Sequence, residues 1–309
     1  MTVLVTGASG FLGRHLIKEL YQHERVFGGI VCVNRQPFSS PFIQKSYRCD
    51  LGDSDRSEAS FYGLKYIMKQ YNPKHIFHLA SKATVKMEGD EPFSMLESNI
   101  LSTQKVCQWA PKGAKVVLAS SVIVYGDRDS SGGYTEEDIT DPTSIYGMTK
   151  RASESILNYY TSTGQIRGVS ARMCATVGRG LTHGVVYDFI RKLKNNPTLE
   201  ALGSHPGSVK PYCHVDDLTQ ALMLLSMGEA SGVYNIVPDD MINIEEVAET
   251  VMASLEIYKD IEWLGEKSNW KGDNKLISVD NAKIKHLGWN PKYKSKQAIV
   301  KAVKDIIKS

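Results

Sequence analysis

The opening stretch MTVLVTGASGFLG limits what this chain can fold into more than any other. Thr2 to Thr6 is a run of strand-formers. Gly7, Gly10 and Gly13 then punctuate a turn, and Phe11, Leu12, Leu16, Ile17 and Leu20 recur with helical spacing. The order is strand, glycine turn, helix. In such a unit one glycine permits a tight turn, one lets backbone approach a pyrophosphate, and one lets the helix pack close to the strand. The helix start offers free N–H groups and the positive end of its dipole to the phosphates. The spacing GxxGxxG is a variant of the commoner GxGxxG. Gly7, Gly10, Phe11, Leu12 and Gly13 are therefore candidate dinucleotide contacts. The predicted fold class is α/β, a doubly wound (Rossmann) parallel sheet.

After the first helix, Gly28-Gly29 breaks the chain and Ile30 to Val33 reads as the second strand, ending at Asn34-Arg35. That end faces the adenosine ribose in this architecture. An acid there accepts hydrogen bonds from the ribose 2′-OH, whereas a cation suits a 2′-phosphate. No acid is present and Arg35 is, so NADP(H) is favoured, with NAD(H) as the alternative. Tyr47 to Leu51 reads as a short strand ending in Asp50, placed to accept from an adenine amino group or to cap a turn. A helical pattern over 58–71 ends near Asn72-Pro73. His75 to Ser81 is an apolar strand whose two histidines point to opposite faces, which excludes a metal pair. The small Ala80 and Ser81 at its end let a ligand approach backbone. One long helix is expected over about 91–110, with Asn99 in its middle.

Lys115 to Ser121 reads as a buried strand passing into Val122-Ile123-Val124-Tyr125-Gly126. Hydroxyls at the carboxyl end of a parallel strand sit where ligands bind. Tyr146 then opens a helix running to about residue 161, with Lys150 one turn on and on the same face. An ammonium beside a phenol favours the phenolate, so the phenol pKa is expected to fall from about 10 toward neutrality. That makes Tyr146 a candidate general acid and base. No other tyrosine of the chain has a lysine four residues later.

The strand Gly168 to Cys174 closes the alternating series, and residues 175–212 change character. Residues 1–174 plus about 213–240 are expected to form the dinucleotide-binding domain, and about 175–212 plus 241–309 a smaller α/β substrate domain. Asn243 with Glu246 matches a capping box for a helix over 244–255. Trp270 and Trp289 read as core. A net charge of +3 spread over 309 residues gives no reason to expect nucleic acid or an anionic membrane. Five scattered cysteines read as reduced core thiols of a cytoplasmic protein. No metal site is expected.

These residues match a known family. The chain resembles the extended short-chain dehydrogenase/reductases, and within them the nucleotide-sugar (UDP-glucose, UDP-galactose) 4-epimerase branch. The matching positions are the three glycines, Asp50-Leu51, His78-Leu79-Ala80, Asn99 with Ser102-Thr103, Ser121 to Gly126, and Tyr146-xxx-Lys150. They continue through Thr182-His183-Gly184-Val185, His214-Val215-Asp216-Asp217, Tyr234-Asn235, Gly272-Asp273 and Leu287-Gly288-Trp289. The resemblance implies a catalytic centre of Ser121, Tyr146 and Lys150. Ser121 holds the sugar hydroxyl, Tyr146 moves its proton, and Lys150 binds the nicotinamide ribose. It also implies cofactor contacts at Asn34, Arg35, Asp50, Leu51, Leu79, Ala80, Ser81 and Asn99, and a homodimer through the helices near 91–110 and 146–161.

Three departures bear on the reaction. Family dehydratases carry an acid just after the catalytic hydroxyl residue, and here Val122 and Ile123 stand there, which disfavours 4,6-dehydration. The acid usual at the second-strand end of epimerases is absent, a pattern more typical of NADPH-dependent 4-keto-sugar reductases, which are the alternative reading. The family's diphosphate-holding asparagine appears as Ala175 and an arginine as Trp270. Arg179, Lys210, Lys271 and Asp273 remain to bind a nucleotide-diphosphate sugar.

Overall fold

The computed structural model describes residues 1–53, 58–83, 91–127, 133–265 and 274–308. In chain order the elements begin with β1 (Thr2–Thr6), α1 (Phe11–Gln22), α2 (Glu24–Phe27), β2 (Gly29–Asn34), β3 (Lys45–Arg48), α3 (Glu58–Tyr71) and β4 (His75–His78). There follow α4 (Glu91–Leu96), a π-helical turn (Glu97–Leu101), α5 (Ser102–Trp109), β5 (Ala114–Ser121), a 3-10 turn (Val122–Tyr125), α6 (Ile145–Ser162) and β6 (Ile166–Met173). Next come β7 (Ala175–Val177), α7 (Val185–Asn195), β8 (Leu199–Ala201), β9 (Tyr212–His214), α8 (Val215–Ser226) and β10 (Gly232–Ile236). The last are α9 (Ile244–Leu255), β11 (Ile261–Trp263), α10 (Ala282–His286) and α11 (Ser295–Ile307).

Two compact units share this chain. The first comprises Met1–Val124, Ser144–Arg172 and Thr219–Tyr234, and the second Tyr125–Thr143, Met173–Leu218 and Asn235–Ser309. A seven-stranded sheet runs in the order β10-β6-β5-β4-β1-β2-β3. The pairs β1–β2, β2–β3, β1–β4 and β4–β5 are parallel. Thr6 pairs with Val33 on one side and His78 on the other, so the carboxyl ends of β2, β1 and β4 lie level. Strand order reverses between β1 and β4, the switch point at which doubly wound sheets bind ligands.

The strands read as continuous apolar runs because both faces are covered. Leu4, Val31, Val33, Ile76, Val116 and Leu118 form one face and pack with Leu64, Ile67 and Met68 of α3, Val106 and Cys107 of α5, and Leu157 of α6. Each such leucine or isoleucine contributes about 1.5–3 kcal/mol through burial. This packing fixes α5 and α6 against the sheet. The Ser144 hydroxyl starts α6 by accepting from the Gly147 N–H at 3.1 Å. Asn72, in the left-handed region at φ 43°, stops α3 one residue before Pro73.

The 91–110 segment departs from the single α-helix expected there. A π turn interrupts it at Glu97–Leu101, with Asn99 inside. Hydroxyls of Thr103 and Ser153 accept the load of the disturbed ladder by donating to the Asn99 carbonyl at 2.8 and 3.1 Å. The apolar run after Ser121 is not strand either. It tightens into a 3-10 turn whose Ile123 N–H reaches back to the Ser121 hydroxyl at 3.4 Å.

In the second unit β7 pairs with β9 and β8 with β11, both parallel. The expected capping box on α9 is present, with Asn243 and Glu246 exchanging hydrogen bonds of 2.8 and 2.9 Å. Trp289 is core, its indole N–H donating to the Asp217 carbonyl at 3.0 Å, while Trp270 lies outside the described residues. All five cysteines are free and buried. Among the described residues no helix is long and apolar enough to cross a membrane.

Lys115 lies near the amino end of β5, 1 % exposed, its ammonium donating to the Ala230 carbonyl. Burial first, and Arg167 second, pull its pKa down to about 8, with Glu229 opposing. Below about 8 both folded and unfolded chains carry this proton and the fold bears the full penalty. Between about 8 and the usual 10.5 the unfolded chain binds the extra proton, so stability rises with pH. Chemical denaturation between about pH 7.5 and about pH 9.5 should show Lys115 contributing a rise of about 2 kcal/mol, absent in Lys115→Met. An unchanged pH slope in that variant would refute the assignment.

Candidate active site

Gly7 sits at φ +72°, and a Cβ there would lie 2.7 Å from the Ala80 nitrogen. A Cβ on Gly13 would lie 2.4 Å from the Gly7 carbonyl oxygen. These two glycines let the loop press against the end of β4 and let α1 close onto the loop. Gly10 has a different use. It is the exposed N-cap of α1, no side chain caps the helix, and its first turn holds no acid. The first-turn amides, those of Phe11 and Leu12 among them, are thus open to an anion, which fits the diphosphate of a dinucleotide.

Asn34 ends β2 fully buried. Its Oδ1 accepts from the Ser9 N–H at 2.9 Å and its Nδ2 donates to the Ser46 hydroxyl at 3.3 Å. The carboxamide braces the glycine loop against β3, and the neighbouring Arg35 is exposed. Asp50 caps a turn, accepting from the Gly52 N–H at 3.0 Å, beside buried Leu51.

A hydrogen-bond chain links the loop to α6. The Thr6 hydroxyl accepts from the Ala80 N–H at 3.1 Å and meets His78 Nδ1 at 2.8 Å. Leu79 bonds through its N–H to the Thr6 carbonyl at 3.2 Å. His78 Nε2 meets the Thr103 hydroxyl at 3.1 Å. Burial, then the charge of Lys150, pulls His78 down to about 3, so it is neutral. Asn99 is the hub. Its Oδ1 accepts from the Lys82 N–H at 2.7 Å and the Ser81 hydroxyl at 3.0 Å. Its Nδ2 donates to the Thr149 hydroxyl at 2.9 Å and the Lys82 carbonyl at 3.1 Å. Two donors and two acceptor sites are all filled, so this side chain acts on the site through Ser81, Lys82 and Thr149. Thr149 in turn donates to the Tyr146 carbonyl at 2.8 Å.

Ser121 ends β5, and Tyr146 and Lys150 occupy the first two turns of α6. The structure brings the three together. The Ser121 hydroxyl bonds the Tyr146 phenol. Lys150 Nζ donates to the Ala119 carbonyl at 2.7 Å and lies 5.5 Å from the centre of the Tyr146 ring. Here the expected pKa shift is reversed. Burial pushes the Tyr146 phenol up to about 12, although the Ser121 bond pulls the other way. The ammonium is spent on the Ala119 carbonyl, and its own pKa falls to about 8 through burial, Glu154 opposing. Desolvation outweighs the charge in the resting protein.

Sequence reasoning passed over Thr6, Thr149, Glu154 and Arg172. Continuing the i, i+4 count from Tyr146 through Lys150 leads to Glu154, so that one was within reach. In the second unit Arg179 is exposed after β7, and Lys210 pairs by backbone with Ile242 at 3.0 and 3.1 Å. Lys271 and Asp273 lie outside the described residues. Among the described residues no group of His, Cys, Asp and Glu is arranged to hold a metal ion.

Residues 3–237 match the NAD dependent epimerase/dehydratase family. The chain is 28% identical to UDP-glucuronic acid decarboxylase 6 of Arabidopsis thaliana, across 97% of this chain and 87% of that enzyme. It is 25% identical to the dTDP-4-dehydro-6-deoxyglucose reductase of Escherichia coli, across 98% and 97%. Among solved structures a UDP-galactose 4-epimerase superposes with a TM-score of 0.82 at 28% identity, covering 100% of this chain and 99% of the other. MoeE5 in complex with UDP-glucuronic acid and NAD gives a TM-score of 0.85 at 26% identity, covering 98% of each.

The raised phenol pKa has a direct readout. Absorbance titration of the dinucleotide-free protein, wild type minus Tyr146→Phe, should show no tyrosinate forming between about pH 6 and about pH 10. An ionisation step near neutrality would mean that the ammonium, not burial, controls Tyr146.

Proposed function

The chain belongs to the NAD dependent epimerase/dehydratase family, and within it we propose a nucleotide-sugar 4-epimerase acting on a UDP-hexose. The observation that carries this is Ser121, Tyr146 and Lys150 converging at the carboxyl end of β5. The likeness to a UDP-galactose 4-epimerase over the full chain supports the substrate class. The apolar Val122 and Ile123, where dehydratases carry an acid, favour a redox-neutral outcome.

A bound nicotinamide dinucleotide would supply the hydride acceptor and donor. The chain's own residues do the rest. The Tyr146 phenol takes the proton of the sugar 4-hydroxyl and returns it. The Ser121 hydroxyl holds the same oxygen. Lys150 holds the ribose hydroxyls, and turned from Ala119 toward them it favours the phenolate that the oxidative half-reaction needs. The open start of α1 takes the diphosphate, with Ala80 and Ser81 beside it. Arg179, Lys210, Lys271 and Asp273 are proposed for the nucleotide-diphosphate of the substrate. The dinucleotide we propose is NAD(H). MoeE5 was solved with NAD, and Asn34 is committed to the glycine loop, so the NADP(H) reading of Asn34-Arg35 is not carried forward.

The second reading, an NADPH-dependent 4-keto-sugar reductase, is favoured by exposed Arg35 and by the reductase relative. Mass analysis of dinucleotide released on denaturation separates the two. Retained NAD(H), with interconversion of UDP-glucose and UDP-galactose, supports the epimerase. Stoichiometric NADPH consumption with a 4-keto-sugar nucleotide supports the reductase. Tyr146→Phe should lower turnover by about 10²–10⁴-fold, measured with cofactor saturating. Phe93, Leu96, Met148 and Tyr159 are exposed on α4 and α6, which supports a homodimer through these helices. Light scattering should give about twice 34.3 kDa, and a monomer would refute it.

A further inference from the structure

Along α6, Tyr146, Lys150 and Glu154 recur at every fourth residue and so share one face. Each holds a different residue at the end of β5. Tyr146 bonds the Ser121 hydroxyl. Lys150 bonds the Ala119 carbonyl at 2.7 Å. Glu154 accepts from the Ser120 hydroxyl at 2.5 Å. From β6, Arg172 grips Glu154 through both oxygens, Nε at 2.9 Å and a terminal nitrogen at 2.8 Å. Glu154 and Arg172 are each 4% exposed.

We propose that Glu154 is a positioning residue whose carboxylate, fixed by Arg172 and Ser120, holds the Lys150 side chain charged and aimed at the strand end that carries Ser121. This rests on the roles proposed above for Tyr146 and Lys150. A mere strut would not call for ions, because a buried ion pair can be replaced by packed apolar groups with little loss of stability. The charges around Lys150 say more. From α6 it faces Tyr146 and Glu154, from β6 Arg172, and from β4 His78. His78 and Tyr146 are neutral at physiological pH. Two cations and one anion are left. Without Glu154 two buried cations oppose each other, and only the ammonium can shed its proton. Without Arg172 an unbalanced anion remains beside the ammonium. The two removals therefore act on Lys150 with opposite sign, which no strut would do.

The test is the titration of the Lys150 ¹³Cε resonance in lysine-labelled full-length protein, assigned by its loss in Lys150→Met. Glu154→Gln should lower the midpoint by about one pH unit and Arg172→Met should raise it by about one. Glu154→Asp should restore it. If a single variant fails to fold, the double variant Glu154→Gln with Arg172→Gln removes both charges, and its midpoint should stay within about half a unit of wild type. Unmoved midpoints in both single variants, shifts of the same sign, or a large shift in the double variant would overturn the proposal. The alkaline limb of kcat/KM for UDP-glucose should move with the midpoint. Absence of any turnover refutes the epimerase reading alone, since the resonance reports without substrate.

Discussion

A carboxamide can make four hydrogen bonds, and Asn99 makes all four inside the protein. Three separate stretches depend on it: the segment after β4, the π turn itself, and the second turn of α6. Such a group sets geometry by exhaustion. With every donor and acceptor taken by fixed partners, no alternative rotamer is available without stranding a buried polar atom. Ser81 and Thr149 inherit their positions from this side chain, and Tyr146 inherits its backbone position from Thr149.

Around that fixed frame the electrostatics are unsettled. Burial raises the phenol of Tyr146 and lowers the ammonium of Lys150, so both groups resist the charged forms their chemistry needs. The resting centre is a neutral phenol, a hydroxyl, and a cation tied to a carbonyl. A ligand that redirects Lys150 from Ala119 would move both groups in the useful direction at once. The glycine loop shows the same economy. Gly7 and Gly13 serve close packing, and Gly10 alone leaves the helix start open.

The α/β order was legible because it is local. Strand runs, glycine turns and helix caps such as Asn243 with Glu246 depend on neighbours in sequence. The pairing of Tyr146 with Lys150 was legible for the same reason, a single turn of one helix. The reversed phenol shift was not, because it depends on where the Lys150 ammonium finds an acceptor, and Ala119 is a residue of another element. Asn34 looked like a ribose reader because its place at the strand end was readable but its partners Ser9 and Ser46 were not. The π turn escaped because apolar spacing over 91–110 is compatible with a regular helix, and only the buried hydroxyls of Thr103 and Ser153 show what the disturbed carbonyl gains. Lys271 and Asp273 lie outside the described residues.

The π turn at Glu97–Leu101 also makes this part of the chain intolerant of changes in length. Removing one residue would let the helix wind regularly, which looks locally favourable. It would also turn everything beyond by about 100°. Val106 and Cys107 would swing off the sheet, and Thr103 would leave His78. The segment can therefore drift in composition on its outer face while its residue count is held, so that variation here should come as substitutions and not as gaps.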